Sequence, residues 1–193
     1  MGVISPEAPV STELAAVQMG FPADAAFALE ETCIRFGIDT TLRKAHFLSQ
    51  VAHESGAGRW LEEIWGPTPA QIRYEGRKDL GNTEPGDGRR FAGRGYIQLT
   101  GRSNYAEFSH DMFGDDRALT HPHMVAKLPY AAWTAGWYWH KRGINALADR
   151  DSLELVTRRV NGGLNGLADR ARYLHMAKRL FAEMTRRANS ERT

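Results

Sequence analysis

Glu54 is the residue in this sequence whose setting most resembles that of a working acid. It closes a stretch in which Leu42, Ala45, Leu48, Val51 and Ala52 recur at helical spacing, with Phe47 broadening the stripe. Val51 and Phe47 lie on its own face, and the C-terminal end of a helix carries partial negative charge. Both influences disfavour the ionised form, and a carboxyl kept protonated near neutrality is what general acid catalysis needs. The plainer alternative is a solvated Glu on an exposed face. A second carboxylate lies close by in Trp60-Leu61-Glu62-Glu63-Ile64-Trp65. In one continuous helix Glu54 and Glu63 would stand about 13–14 Å apart, at about 1.5 Å per residue. Gly56 and Gly58 predict a break that lets the chain fold back. At roughly 6.5–9.5 Å, a carboxylic acid and a carboxylate can flank a water and cleave a glycosidic bond with inversion. A charged element edge is the alternative reading of Glu62-Glu63.

Other chemistries find less support. His53-Glu54 opens like a zinc-protease motif, but Ala57 stands where the second histidine must be. No metal and no organic cofactor is expected. There is no G-x-S-x-G elbow. Cys33, the single cysteine, falls within an amphipathic stretch and reads as a small core residue. Gly93-Arg94-Gly95 lacks the residues that would complete a phosphate loop.

Positioning these carboxylates falls to a mainly helical chain of the α+β class. Residues 12–36 read as two short helices broken near Gly20-Phe21-Pro22, and Asp39 or Thr40 can cap the next. Further helical patterns cover about 103–113, 129–142, 151–159 and 167–188. Residues 66–95 hold seven Gly and three Pro and are too polar for a core. So long an irregular stretch is usually functional or disordered. In Tyr96-Ile97-Gln98-Leu99-Thr100 polar and apolar residues alternate. If extended, the segment puts Tyr96, Gln98 and Thr100 on one face. The expected architecture is a two-lobed helical domain with a small β-like lobe between residues 60 and 100 and a cleft between the lobes. Residues 1–12 read as a loose arm and 13–193 as one domain.

The 193 residues suit that single domain. Five Trp, eight Phe and six Tyr give it enough to bury, which excludes disorder over most of the chain. A net charge of +2 argues against nucleic acid as the main partner. No apolar run approaches a membrane span of ~18 residues. One cysteine forbids an intrachain disulfide, and the N-terminus reads as no secretory signal, so cytosolic synthesis is expected.

Three blocks resemble signatures of family 19 glycoside hydrolases. Phe47-Leu48-Ser49-Gln50-Val51-Ala52-His53-Glu54-Ser55-Gly56 resembles the catalytic helix, and Phe91 to Tyr105 the second signature. Val160-Asn161-Gly162-Gly163, with Asp169-Arg170 after it, resembles the third. They occur in the family's order across about residues 40–175. The resemblance implies a lysozyme-like fold. It implies Glu54 as general acid and Glu63 as general base, at the nine-residue spacing of short bacterial and phage members, with Glu62 and Glu75 as alternative positions. Thr100 would help hold the attacking water. Gln98, Asn104 and Tyr105 would line sugar subsites, and Tyr96, placed by the alternation on the face of Gln98 and Thr100, offers an aromatic ring to a pyranose. Asn161 and Arg170 would face the cleft from the C-terminal side.

The compact form resembles the family's bacteriophage endolysin branch. That implies hydrolysis of β-1,4 bonds in peptidoglycan glycan strands by a monomer, made in the host cytoplasm and released to the cell wall through a separate pore. A chitinase is the alternative, and a glycan-binding protein without catalysis a second. Lys178-Arg179, Arg186-Arg187 and Arg192 alternate with Leu180, Phe181 and Met184. Such a basic amphipathic helix can contact anionic membrane, or simply pack on the domain.

Overall fold

The computed structural model describes residues 10–191. Helices α1 (Thr12–Gln18), α2 (Ala23–Arg35) and α3 (Thr41–Ser55) come first. The break between the first two falls at Gly20-Phe21-Pro22, and Thr40 caps α3 by accepting from the Arg43 amide. Gly56 ends α3 in the left-handed region, at φ 58°, which a glycine adopts without strain. The irregular segment that follows carries only single turns of helix, α4 (Pro69–Ile72) and α5 (Asp87–Arg90), with a 3-10 turn at Lys78–Leu80 between them. Helix α6 (Arg102–Phe113), the short α7 (Arg117–Thr120), α8 (Tyr130–Lys141) and the short α9 (Asn145–Ala148) come next. Helices α10 (Leu153–Asn161) and α11 (Leu167–Ser190) complete the described chain.

The apolar stripe of α3 is the centre of the main core. Ala45, Phe47, Leu48, Val51 and Ala52 are all fully buried. Each large side chain removed from water contributes roughly 1.5–3 kcal/mol. Helix α11 packs along α3 through Leu174, Ala177, Leu180 and Phe181. Helix α8 joins this core to a second one. Trp139 meets Phe47 edge-on at 5.4 Å, while Trp137 meets Phe108 at 5.6 Å in a cluster with Phe91, Leu99 and Tyr105. The glycine at 136 lets α8 cross α2, because a Cβ there would lie 2.3 Å from the Phe36 ring.

Three expectations need correction. The lobe is hardly β at all: among the described residues its pairing is two isolated antiparallel bridges, Glu62 with Arg94 and Arg94 with Leu99. Residues 95–98 form a turn, with Gln98 at φ 54°, so the alternation from Tyr96 to Thr100 does not sort side chains onto two faces. Residues 10–12, placed in a loose arm, are docked. Thr12 is buried, Ser11 caps α1, and the Val10 carbonyl accepts from Lys44 Nζ at 2.9 Å. The rest of that arm lies outside the described residues, as does Arg192. No helix among the described residues is long and apolar enough to cross a membrane. On α11, Leu180 and Phe181 are buried and Met184 packs against the core, so the helix spends its apolar face on the domain.

Candidate active site

Two adjacent residues of α11 hold two adjacent residues of α3. Asp169 accepts from His53 Nδ1 at 2.8 Å. Arg170 reaches Glu54, its Nη2 donating to Oε1. The Arg170 side chain is fully buried and also donates to Gln50 Oε1 at 2.5 Å and to the Asn165 carbonyl at 3.1 Å. Its own carbonyl accepts from Ser49 Oγ at 2.9 Å. Close approach needs glycine at 166, where a Cβ would lie 2.2 Å from the His53 ring. Val51 and Phe47 turn into the core, and what touches the Glu54 carboxylate is a guanidinium. The apolar setting expected for Glu54 is thus replaced by an ionic one, because α11 brings a cation that helix periodicity in α3 could not reveal. Arg170 faces Glu54 and not an open cleft, which corrects its assignment as a subsite residue.

Glu63 is held differently. Its backbone N–H donates to the Gly93 carbonyl at 2.9 Å, and the Gly93 N–H donates back to Oε2 at 3.2 Å. Gln71 donates to Oε1 at 3.0 Å. Gln71 is buried and saturated: it also donates to the Ile64 carbonyl and accepts from the Gly66 and Thr68 amides. Tyr74 lies in the field of Glu63: its pKa is raised, first by burial and then by that carboxylate. The neighbouring carboxylates are committed elsewhere. Glu62 accepts from Arg94 Nε at 2.7 Å and contacts His123 at 3.1 Å. Glu75 accepts the Gly86 and Gly88 amides at 2.6 and 2.9 Å and so braces the glycine-rich loop.

Gly93 joins Glu63 to Thr100. A Cβ on it would stand 2.8 Å from Gln98 Oε1 and 3.2 Å from Thr100 Oγ1. Thr100 Oγ1 donates to the Gln98 carbonyl at 2.8 Å, and Asn104 donates to the Thr100 carbonyl at 2.7 Å. Gln98, Thr100, Asn104 and Asn161 line one depression of about 540 Å³ together with Tyr138. The Tyr138 pKa is raised, mainly by burial, with Arg142 lowering it and the Glu54 charge raising it. Glu63 lines a neighbouring depression of about 510 Å³ with Trp65, Arg89 and His123. Asn161 accepts the Gly163 amide at 2.9 Å, closing the end of α10.

Tyr96 and Tyr105 are core residues, not subsite residues. Both are fully buried: Tyr96 packs on Phe21, and Tyr105 packs at a tilt against Phe91 and donates to the Ala92 carbonyl. The turn at 95–98 rotates Tyr96 inward, and Tyr105 falls on the buried face of α6. Cys33 is buried too, which pushes its thiol up to about 12 and removes it as a nucleophile. Gln71 and Tyr138 were not singled out in the sequence, and Gly93 only as part of an incomplete phosphate loop. The Thr68 and Gln71 spacing, which forms a capping box in the structure, is the signal that could have marked Gln71, but it does not point to Glu63.

No protein-family model matches the chain. It is 32% identical over 163 residues to a glycosyl hydrolase family 19 domain-containing protein of Haemophilus influenzae, covering 70% of this chain and 78% of that protein. The chain belongs to glycosyl hydrolase family 19. This family 19 hydrolase is also 35% identical over 120 residues to an endochitinase of Arabidopsis thaliana, covering 62% of the chain but only 39% of the plant protein. Chitinase C of Streptomyces griseus shares its fold with a TM-score of 0.70 at 22% identity, covering 94% of this chain and 79% of that one. The class IV family 19 chitinase of Zea mays does so at 0.65 and 19%, covering 91% and 92%. The chain is thus a chitinase-like glycoside hydrolase with a mostly helical, lysozyme-like fold.

Proposed function

We propose that this hydrolase cleaves β-1,4 bonds between N-acetylated amino sugars of bacterial peptidoglycan, with Glu54 as acid and Glu63 as base. Glu54 gives its proton to the leaving glycosidic oxygen. Arg170 favours the carboxylate that remains, so its hydrogen bond strengthens as the proton departs and lowers the barrier. Glu63 draws a proton from a water placed with Thr100 Oγ1, and the water attacks the anomeric carbon from the face opposite the leaving group. The configuration inverts, and no covalent intermediate forms. Gln98, Asn104 and Asn161 offer amides to the sugar hydroxyl and acetamido groups. The observation that carries this reading is Gly93, which bonds Glu63 through its N–H and lies against Thr100 on its other side.

In the cell the role would be endolysin-like, with a monomer reaching the cell wall through a separate pore. Chitin is the second reading, favoured by the endochitinase and chitinase relatives. Sacculi and chitin oligomers incubated in parallel, with the released ends identified by mass spectrometry, separate the two. Proton NMR of the first product should show the α-anomer. A β-anomer, or cleavage that survives Glu54→Gln, would overturn the mechanism.

A further inference from the structure

The depression that holds Thr100 and Asn104 carries three arginines for which the acid–base pair has no use: Arg142, Arg158 and Arg159. Arg142 caps the C-terminal end of α8, and the other two lie in the last turn of α10. A helix dipole favours cations at such ends. It does not require that those of two helices converge on one depression. None of the three forms an ion pair among the described residues, and no carboxylate lines the depression. Glu54, the acid felt at Tyr138, is already engaged by Arg170. Elsewhere in this chain Arg43, Arg94, Arg102, Arg117 and Arg172 each hold a carboxylate of the protein itself. Arg142 lies over the Tyr138 ring at 4.3 Å, and Arg159 donates to the Arg142 carbonyl at 2.7 Å, which keeps the two side by side. Arg158 makes no side-chain hydrogen bond among the described residues.

A neutral glycan gives these guanidiniums no counter-charge. A carboxylate does, and its two oxygens match the planar donor fork of arginine. The geometry points to Arg142, Arg158 and Arg159 as a subsite that reads carboxylates on the glycan, selecting strands with acidic side groups over neutral ones. This rests on the reading of the Thr100 depression as the glycan cleft. Peptidoglycan offers two carboxylate sources, the lactyl group of the muramyl sugar and the acidic residues of its peptide.

Glu54→Gln protein, which binds without cutting, is titrated calorimetrically with three tetrasaccharides. One is a muropeptide glycan, one the same glycan freed of peptide so that its lactyl carboxylate is bare, and one a chitin tetramer. At low salt at least one acidic glycan should bind ten or more times tighter than the chitin tetramer, and added salt should narrow the gap. Whichever acidic glycan is tighter identifies the source. Adding Arg158→Gln or Arg142→Gln should shrink the gap about tenfold, as loss of one charged hydrogen bond does. Arg158→Lys, which keeps the charge, should restore part of it. Arg158→Gln breaks no hydrogen bond in the fold, so the measurement does not depend on Arg142→Gln folding normally. Equal affinity for all three glycans, or a gap untouched by either substitution, overturns the subsite. Wild-type protein that cuts no glycan defeats the hydrolase mechanism while leaving the affinity gap as evidence for the subsite. Cutting without a gap defeats the subsite alone.

Discussion

Glu54 and Glu63 are held by opposite means. In the helical body, two packed helices fix Glu54 through a fully buried arginine that has three acceptors. In the irregular lobe no buried cation among the described residues serves Glu63. A backbone amide and a side-chain amide do, on a segment with two isolated bridges. The first arrangement opens only when α11 leaves α3. The second depends on local loop hydrogen bonds, which open at lower free energy than packed helices. On the proposed mechanism, such a site has one rigid carboxylate and one that can adjust as the glycan binds.

The comparison breaks first at the carboxylates. Glu54→Gln keeps an acceptor for Arg170 and removes the proton, so turnover of sacculi should fall by about 10²–10⁴-fold with Tm little changed. Activity within threefold of wild type would remove Glu54 from the chemistry. Glu63→Gln should fall by a similar factor, while Glu62→Gln keeps most activity, since Glu62 serves Arg94 and His123. If the two variants exchange results, Glu62 is the base. Next comes the buried partner. Arg170→Met leaves Gln50 and Glu54 without their donor and should destabilise by about 3 kcal/mol. For a chain of this size that is a Tm lower by roughly 10 °C. A drop of less than 3 °C would show that the helical body does not depend on this contact.

The same contrast explains what could be read beforehand. Helices α1, α2, α3, α6, α8, α10 and α11 follow from apolar periodicity and from stop signals such as Gly20-Phe21-Pro22 and Gly56, because each helix is decided by residues near in sequence. The bond from Arg170 to Glu54 spans 116 positions, and no local pattern in α3 announces the cation that faces it. In the lobe the alternation of Tyr96 to Thr100 suggested a strand. A single residue in the left-handed region, Gln98, converts the segment into a turn and sends Tyr96 to the core. Gly93 looked like part of a weak phosphate loop, and its contact with Glu63 appears only once residues 63 and 93 are paired.

That pairing can be tested with one methyl group. Gly93→Ala places a Cβ within 2.8 Å of Gln98 Oε1 and 3.2 Å of Thr100 Oγ1. Both side chains must shift, and a displaced Thr100 misplaces the water. Activity should fall about tenfold, because small errors in positioning are costly to catalysis, while the Tm moves by only a few degrees. Unchanged activity would show that Thr100 need not sit where it does.

The smallest effect sharpens the helical side. Asp169 bonds His53 through Oδ2 at 2.8 Å and Arg172 through Oδ1 at 2.7 Å. Its pKa lies below the ordinary aspartate value, first because His53 donates to it and then because Arg172 does, against a partial opposing effect of burial. A carboxyl whose pKa is lower folded than unfolded stabilises the fold above its unfolded value, near 3.9, and loses that contribution as pH falls through the folded value. The Tm difference between wild type and Asp169→Asn should therefore shrink as the pH falls below about 4. Subtracting the variant isolates Asp169 from Asp151, whose pKa is also lowered. The effect is small because the Asp169 side chain is 41% exposed, and solvent screens such a pair. A difference that persists unchanged to pH 3 would mean that the charge of Asp169 adds nothing to the clamp, which Arg170 and the apolar packing of α11 on α3 would then supply.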